Sequence, residues 1–191
     1  LDNFLGFAPW HAEQLHIYGI DALVKETRMQ VTQELLKELF TYKDGEFYWK
    51  KPLAARVKVG DRAGSSDKFG YRQIGIGGKI YREHRLVWLY HCGKWPEKNL
   101  DHINGIKWDN RIENLRDCSQ QQNTWNRPQP KTQRFKGVTK APTGKYFASI
   151  TVDGRLQYLG SFLDEIDAAE AYDKAARKAF GEFAYTNFVW L

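Results

Sequence analysis

The sequence predicts an α+β chain in which short antiparallel strand pairs alternate with short helices, divided between two modules. Three observations predict this. Apolar residues alternate on either side of tight turns at Asp44-Gly45, Gly77-Gly78 and Asp153-Gly154, the pattern of β-hairpins. Apolar residues recur at helical spacing after Thr32 and again between Asp164 and Phe180. Between these regions lies a polar, basic, proline-containing stretch at residues 128–134, flanked by Arg127, with the composition of a linker.

Each element has its own local signal. Residues 1–30 are acidic and aromatic, unlike the rest of the chain, and Met29 is the only methionine. We expect a natural start at Met29 and read the preceding segment as an extension of unknown role. The first module spans residues 31–127. Its opening helix carries Leu35, Leu36, Leu39 and Phe40 on one face, Lys43-Asp44-Gly45 makes a turn, and Glu46 to Lys50 reads as a strand. Gly70 to Arg82 reads as a hairpin, with Ile74 and Ile76 before its Gly-Gly turn and Ile80 after it. His84 to His91 is a short helix stopped near Gly93. The second module, residues 135–188, has strands over Phe135 to Thr139, Lys145 to Val152 and Arg155 to Leu159. Its helix starts at the N-cap Asp164 and stops at Gly181, with Ile166, Ala169, Tyr172, Ala176, Ala179 and Phe180 as its apolar stripe.

Composition narrows the function. With 42% hydrophobic and 15% aromatic residues in 191, the chain can build two small cores, and disorder throughout is excluded. No apolar run is long enough to span a bilayer and no signal-peptide pattern opens the chain, so a soluble, cytoplasmic protein without a membrane partner is expected. Cys92 and Cys118 are too few for a zinc cluster or a disulfide scaffold and read as buried thiols. The formal net charge of +6 is unevenly spread: residues 131–163 carry 6 basic and 1 acidic side chains, residues 164–191 carry 3 and 6. No Asp or Glu falls between Asp117 and Asp153. Such a run of positive charge suits a phosphate backbone.

The chemistry concentrates in Leu100-Asp101-His102-Ile103-Asn104-Gly105, continues through Asp109-Asn110-Arg111-Ile112-Glu113-Asn114-Leu115-Arg116, and ends in Ser119-Gln120-Gln121-Gln122-Asn123. We read a strand holding Asp101 and His102, a loop from Asn104 to Asn110, a return strand from Asn114 to Arg116, and a helix capped by Ser119 that carries Asn123. A hard divalent cation takes oxygen ligands, which Asp101 and the Asn123 carbonyl supply. A neutral imidazole near pH 7 can accept the proton of an attacking water, the general-base role for His102. Asn114 is placed to hydrogen-bond the loop or the histidine and fix its orientation. Adjacent strand side chains point to opposite faces, so Asp101 and His102 share a site only through twist or a bulge.

This stretch, with the approach from His84-Arg85-Leu86-Val87-Trp88 through Gly93-Lys94-Trp95-Pro96, resembles the HNH endonucleases of the phage and intron-encoded homing type, in which an Asp-His pair opens the motif. The resemblance implies a ββα-metal nuclease fold, with Asp101 and Asn123 holding one divalent metal, His102 as general base and Asn114 orienting it. The metal implied is Mg2+, with Mn2+ as a substitute, and neither structural zinc nor an organic cofactor is expected. It also implies hydrolysis of duplex DNA to 5′-phosphate and 3′-hydroxyl ends, in a phage or mobile-element context within a bacterial host. Lys107, Arg116 and Arg127 are assigned as phosphate contacts.

Lys136-Gly137-Val138, Ser149-Ile150, Tyr158-Leu159-Gly160-Ser161-Phe162 and Ala168 to Ala176 resemble the Apetala or ethylene-response-factor type DNA-binding domain. That family implies a three-stranded antiparallel sheet packed on one helix, with its open face in the major groove. Lys131, Arg134, Lys136, Lys140, Lys145 and Arg155 are then phosphate contacts and Tyr158 a base-facing side chain. Thr139, Ala141, Thr143, Ser149, Thr151 and Leu156 depart from the plant pattern of Arg and Trp, so plant target sequences do not transfer. The rival reading is a DNA-binding regulator that does not cleave.

Overall fold

The computed structural model describes residues 30–129 and 132–188. The expected N-terminal extension, apart from Gln30, and Lys131 of the basic stretch lie outside the described residues. The chain forms two compact units. One runs up to Trp95 and takes in Lys107–Ile112; the other comprises Pro96–Ile106 and the residues from Glu113 onward. The division between these units falls after Trp95 and inside the loop beyond His102.

In the first unit, α1 (Gln33–Leu39) starts at Thr32, whose hydroxyl accepts the Leu35 N–H at 3.3 Å, and so satisfies an otherwise orphaned donor. β1 (Phe40–Lys43) continues from it without a break and pairs antiparallel with β2 (Glu46–Trp49). Helical spacing extends the helix to Phe40, but this residue opens the strand and packs its ring 5.2 Å from Phe47 and 4.5 Å from Trp49. β3 (Ser65–Ser66), β4 (Arg72–Ile76) and β5 (Lys79–Arg82) make a second small sheet, and α2 (Glu83–Cys92) ends at Gly93 in the left-handed conformation. The hairpin turns at Asp44-Gly45 and Gly77-Gly78 have positive φ at both positions, matching the right-handed strand twist. Glu83 is wholly buried, and its carboxylate accepts the Phe47 N–H and the Asn110 side-chain amide. Burial pushes its pKa up.

In the second unit, β6 (Asn99–His102) and β7 (Leu115–Cys118) pair antiparallel, and Glu113 and Asn114, the last two residues of the 3-10 turn Ile112–Asn114, lead into β7. α3 (Gln120–Trp125) begins with a full capping box, Ser119 and Gln122 each bonding the other's backbone N–H. β8 (Val138–Lys140), β9 (Tyr146–Val152) and β10 (Arg155–Phe162) form an antiparallel sheet with β9 in the centre. α4 (Glu165–Phe180) covers one face of it, buried along Ala168, Ala169, Tyr172, Asp173, Ala176 and Phe180. The expected stripe is shifted: Ile166 is half exposed and Ala168 takes its place in the core. The small side chains of Ala168, Ala169 and Ala176 let the helix approach the sheet closely. Of the two cysteines Cys118 is buried, whereas Cys92 at the end of α2 is exposed.

The sheet-and-helix part and the strand-pair part of this unit are bonded together. Trp125, the last residue of α3, stacks on Phe180 with ring centroids 4.6 Å apart and planes 15° from parallel. Its carbonyl accepts the Lys136 ammonium at 2.7 Å and the Tyr185 N–H at 3.4 Å. An aromatic pair of this kind contributes about 0.5–1.5 kcal/mol beyond the area it removes from water. These contacts join the end of α3 to the sheet-and-helix part within one compact unit.

Candidate active site

Asp101 and His102 occupy the last two positions of β6, across from Arg116 and Leu115. The ladder runs through them without a register shift, so no bulge turns the two side chains to one face. Both residues are 6% exposed. Arg116 Nε and a terminal nitrogen donate to Asp101 Oδ2 at 2.9 and 2.8 Å. From α3 the partner of Asp101 is Asn126, the C-cap residue, whose Nδ2 lies 3.1 and 3.0 Å from the two carboxylate oxygens and 2.9 Å from the His102 carbonyl.

Asn126 is 6% exposed and lies beyond the sequence motif, which stops at Asn123. The available signal was position: Asn126 comes nearly one helical turn after Asn123, so a second amide sits at the end of the same short helix. It ties that end to β6. Asn126→Ala removes donors from a buried carboxylate and a buried carbonyl, and should lower stability by about 1–3 kcal/mol. A urea unfolding midpoint equal to wild type would show that these bonds contribute nothing.

Asn123 is half-buried in α3, and its side-chain amide makes no hydrogen bond among the described residues. Asn114 holds the loop: Asn104 N–H donates to its Oδ1 and its Nδ2 donates to Asn104 Oδ1, both at 3.0 Å, while the Ile103 N–H reaches its carbonyl at 2.9 Å. The loop leaving His102 is therefore fixed by the residue read as its orienter.

The donor set suits a hard cation. Among the described residues Asp101 Oδ1 accepts from the Asn126 amide alone, a donor it shares with Oδ2, leaving acceptor capacity on the carboxylate. The uncommitted Asn123 carbonyl is a second oxygen ligand of the type such ions take. Among the described residues no three His, Cys, Asp or Glu side chains converge to hold a metal, so amide oxygen and water would have to complete any coordination.

The basic residues read as DNA contacts divide into two groups. Arg127, Arg134, Lys140, Lys145 and Arg155 are exposed, with Arg134 pairing with Glu165 at 3.2 Å and Lys140 lying over the Tyr146 ring. Lys107, in the first unit, is exposed, with Nζ 3.2 Å from the Phe69 carbonyl and over the Tyr71 ring. Tyr158 is 65% exposed on the sheet face away from α4, edge-on to Phe147. That face also carries Thr139, Ser149, Thr151 and Leu156, so charge sits at strand ends and turns while the open face is neutral. Arg116 and Lys136 are engaged internally. Arg116 has a side chain 12% exposed and bound to Asp101.

Lys136 donates to the carbonyls of Trp125 and Arg127 at 2.7 and 2.6 Å and lies over the Tyr185 ring. Burial pushes its pKa down from 10.5 to about 8. Between those values the unfolded chain holds a proton that the folded chain has released, so stability rises with pH there and the contribution is flat below about 8. The stability difference between wild type and Lys136→Met should therefore move in favour of wild type from pH 8 to 10. A pH-independent difference would rule out this linkage.

Residues 81–124 match the HNH endonuclease family model, a span that contains Asp101, His102, Asn114 and Asn123 and stops short of Asn126. An HNH domain is thus present. The chain is 35% identical over 106 residues to an uncharacterized HNH endonuclease of Acanthamoeba polyphaga mimivirus, covering 54% of this chain and 56% of that protein. Over its C-terminal part it is similar to the ethylene-responsive transcription factor LEP of Arabidopsis thaliana, 47% identical over 60 residues, 30% of this chain and 28% of that protein. It is also similar to the AP2/ERF and B3 domain-containing transcription repressor TEM1 of Arabidopsis thaliana, 40% identical over 55 residues, 29% of this chain and 15% of that protein. The matched region is thus about half the length of the viral relative and under a third of these plant relatives. Among the described residues no helix is long and apolar enough to cross a membrane.

Proposed function

We propose that the chain is a divalent-metal-dependent DNA endonuclease of the homing type, cutting phosphodiester bonds in duplex DNA inside a bacterial or phage-infected cell. The observation that carries this reading is the family match over residues 81–124, a span in which β6, the turn before β7 and α3 carry a carboxylate, an imidazole and two amides. His102 accepts the proton of the attacking water, and Asn114 keeps the loop beyond it in place. Asp101 and the Asn123 carbonyl would hold the divalent cation, Mg2+ or Mn2+, which when bound supplies positive charge against the phosphate and the leaving oxygen. In modular terms, residues 31–127 supply cutting and residues 135–188 supply duplex binding, through phosphate contacts by Lys107, Arg127, Lys131, Arg134, Lys140, Lys145 and Arg155 and a base-facing Tyr158.

The test is incubation of the full chain with supercoiled plasmid in Mg2+, with and without EDTA. Conversion to nicked or linear DNA in Mg2+ alone is the expected result. Binding of duplex DNA without conversion under any divalent ion would make the chain a non-cleaving DNA-binding protein.

A further inference from the structure

Among the described residues the side chain of Arg116 links the proposed cation ligand Asp101 directly to the turn that follows α4. Arg116 spends two of its nitrogens on Asp101 Oδ2. Its remaining terminal nitrogen donates to the Glu182 carbonyl at 2.5 Å, and its guanidinium carbon stacks 4.0 Å from the centre of the Phe183 ring. Glu182 and Phe183 belong to the 3-10 turn Gly181–Phe183 that comes after α4. Immediately before this turn Phe180 stacks on Trp125, and just after it the Tyr185 N–H reaches the Trp125 carbonyl. Residues 180–185 therefore grip both β7 and the end of α3.

A guanidinium has donors in one fixed plane. With one edge on a backbone carbonyl and its face on an aromatic ring, its other edge can meet the carboxylate in only one orientation. Arg116 loads Oδ2 with two N–H donors, whereas the Asn126 amide lies almost equally far from Oδ1 and Oδ2, at 3.1 and 3.0 Å, so the asymmetry that leaves Oδ1 with the more open lone pairs comes from Arg116. A freely rotating carboxylate would present its two oxygens equally.

We propose that Arg116 is a positioning residue: anchored by the Gly181–Phe183 turn, it sets which carboxylate oxygen of Asp101 is offered to the cation, making the DNA-binding-type module part of the catalytic framework. The proposal rests on the nuclease reading above and replaces the assignment of Arg116 as a phosphate contact. Groups that orient a metal ligand commonly change metal affinity or activity by about 10–100-fold when altered.

The experiment uses two full-length variants that retain the positive charge, so that repulsion between residue 116 and the cation stays constant. Arg116→Lys keeps one ammonium but cannot bridge carboxylate, carbonyl and ring, while Phe183→Ala keeps the arginine and removes the surface on which it rests. Mn2+ affinity is measured by calorimetry without DNA, alongside duplex affinity and the unfolding midpoint. We expect Arg116→Lys to bind Mn2+ roughly 10-fold more weakly, Phe183→Ala to lose affinity in the same direction by less, and both to hold duplex DNA as wild type does. Wild-type Mn2+ affinity in folded Phe183→Ala and Arg116→Lys overturns the positioning role alone. Unchanged Mn2+ affinity with weaker duplex binding returns Arg116 to the phosphate contacts. A wild-type chain that binds no Mn2+ and leaves plasmid uncut in Mg2+ overturns the nuclease reading, and this proposal with it. Should Arg116→Lys fail to fold, Phe183→Ala decides, since it keeps the arginine and removes only the ring against which the guanidinium is fixed.

Discussion

His102→Ala should lower plasmid cleavage by about 10²–10⁴-fold, the contribution of a positioned general base, while duplex affinity stays within a few fold of wild type. The separation comes from where His102 sits. It is 6% exposed at the end of β6, its backbone carbonyl is held by Asn126, and the Ile103 N–H beside it is held by the Asn114 carbonyl. These bonds use the backbone of the segment, so removing the imidazole leaves the strand and loop attached. Affinity for duplex DNA is assigned to exposed cations elsewhere, Lys140, Lys145 and Arg155 among them, which an alanine at position 102 does not touch. Single-turnover cutting at saturating enzyme isolates the chemical step from binding. Residual cutting at a tenth of the wild-type rate or more, with the unfolding midpoint unchanged, would remove His102 from the proton-transfer role.

What the sequence disclosed depended on how local the determining physics is. The turns at Asp44-Gly45, Gly77-Gly78 and Asp153-Gly154 were readable because positive φ at two successive positions restricts which residues can stand there. The helix starts at Thr32, Ser119 and Asp164 were readable because one side-chain oxygen satisfies a donor within three residues. Phe40 was misassigned because it lies four residues after Leu36, a spacing that a strand beginning at a helix end also allows. Arg116 and Lys136 show the limit most clearly. Charge counting treats every cation as solvated, and only the fold reveals that one faces a buried carboxylate and the other two backbone carbonyls. The Asn126 bond to Asp101 spans 25 residues, and no local pattern encodes which amide of a short helix will point back to the strand.

Gly137→Ala should destabilise the second unit more than a typical core truncation, though it adds only one methyl group. Gly137 has φ of +76°, and a Cβ there would lie 1.9 Å from Tyr172 Cδ2 and 2.7 Å from the Ser149 carbonyl oxygen. The backbone cannot retreat freely, since the Gly137 carbonyl accepts the Ser149 N–H at 2.9 Å and the next residue begins β8. Tyr172 cannot retreat either, being 4% exposed and packed with Ile150, Ala176 and Phe180. The positive φ costs an alanine roughly 1–3 kcal/mol and displacing a packed ring about 1–3 kcal/mol more, together a large part of the stability of a small domain, about 5–15 kcal/mol. With a urea dependence of about 1–3 kcal/mol per molar, the midpoint should fall by roughly 1 M or more. The loss should extend to the strand pair. Tyr172 packs with Phe180, Phe180 stacks on Trp125, and the turn after Phe180 holds Arg116 against Asp101. The indole N–H resonance of Trp125, resolved from those of the other six tryptophans, reports this contact and should show the same lowered midpoint as far-ultraviolet circular dichroism. A Gly137→Ala chain as stable as wild type would mean that β8 does not approach α4 this closely, and two separated transitions would mean that the sheet-and-helix module does not carry the strand pair with it.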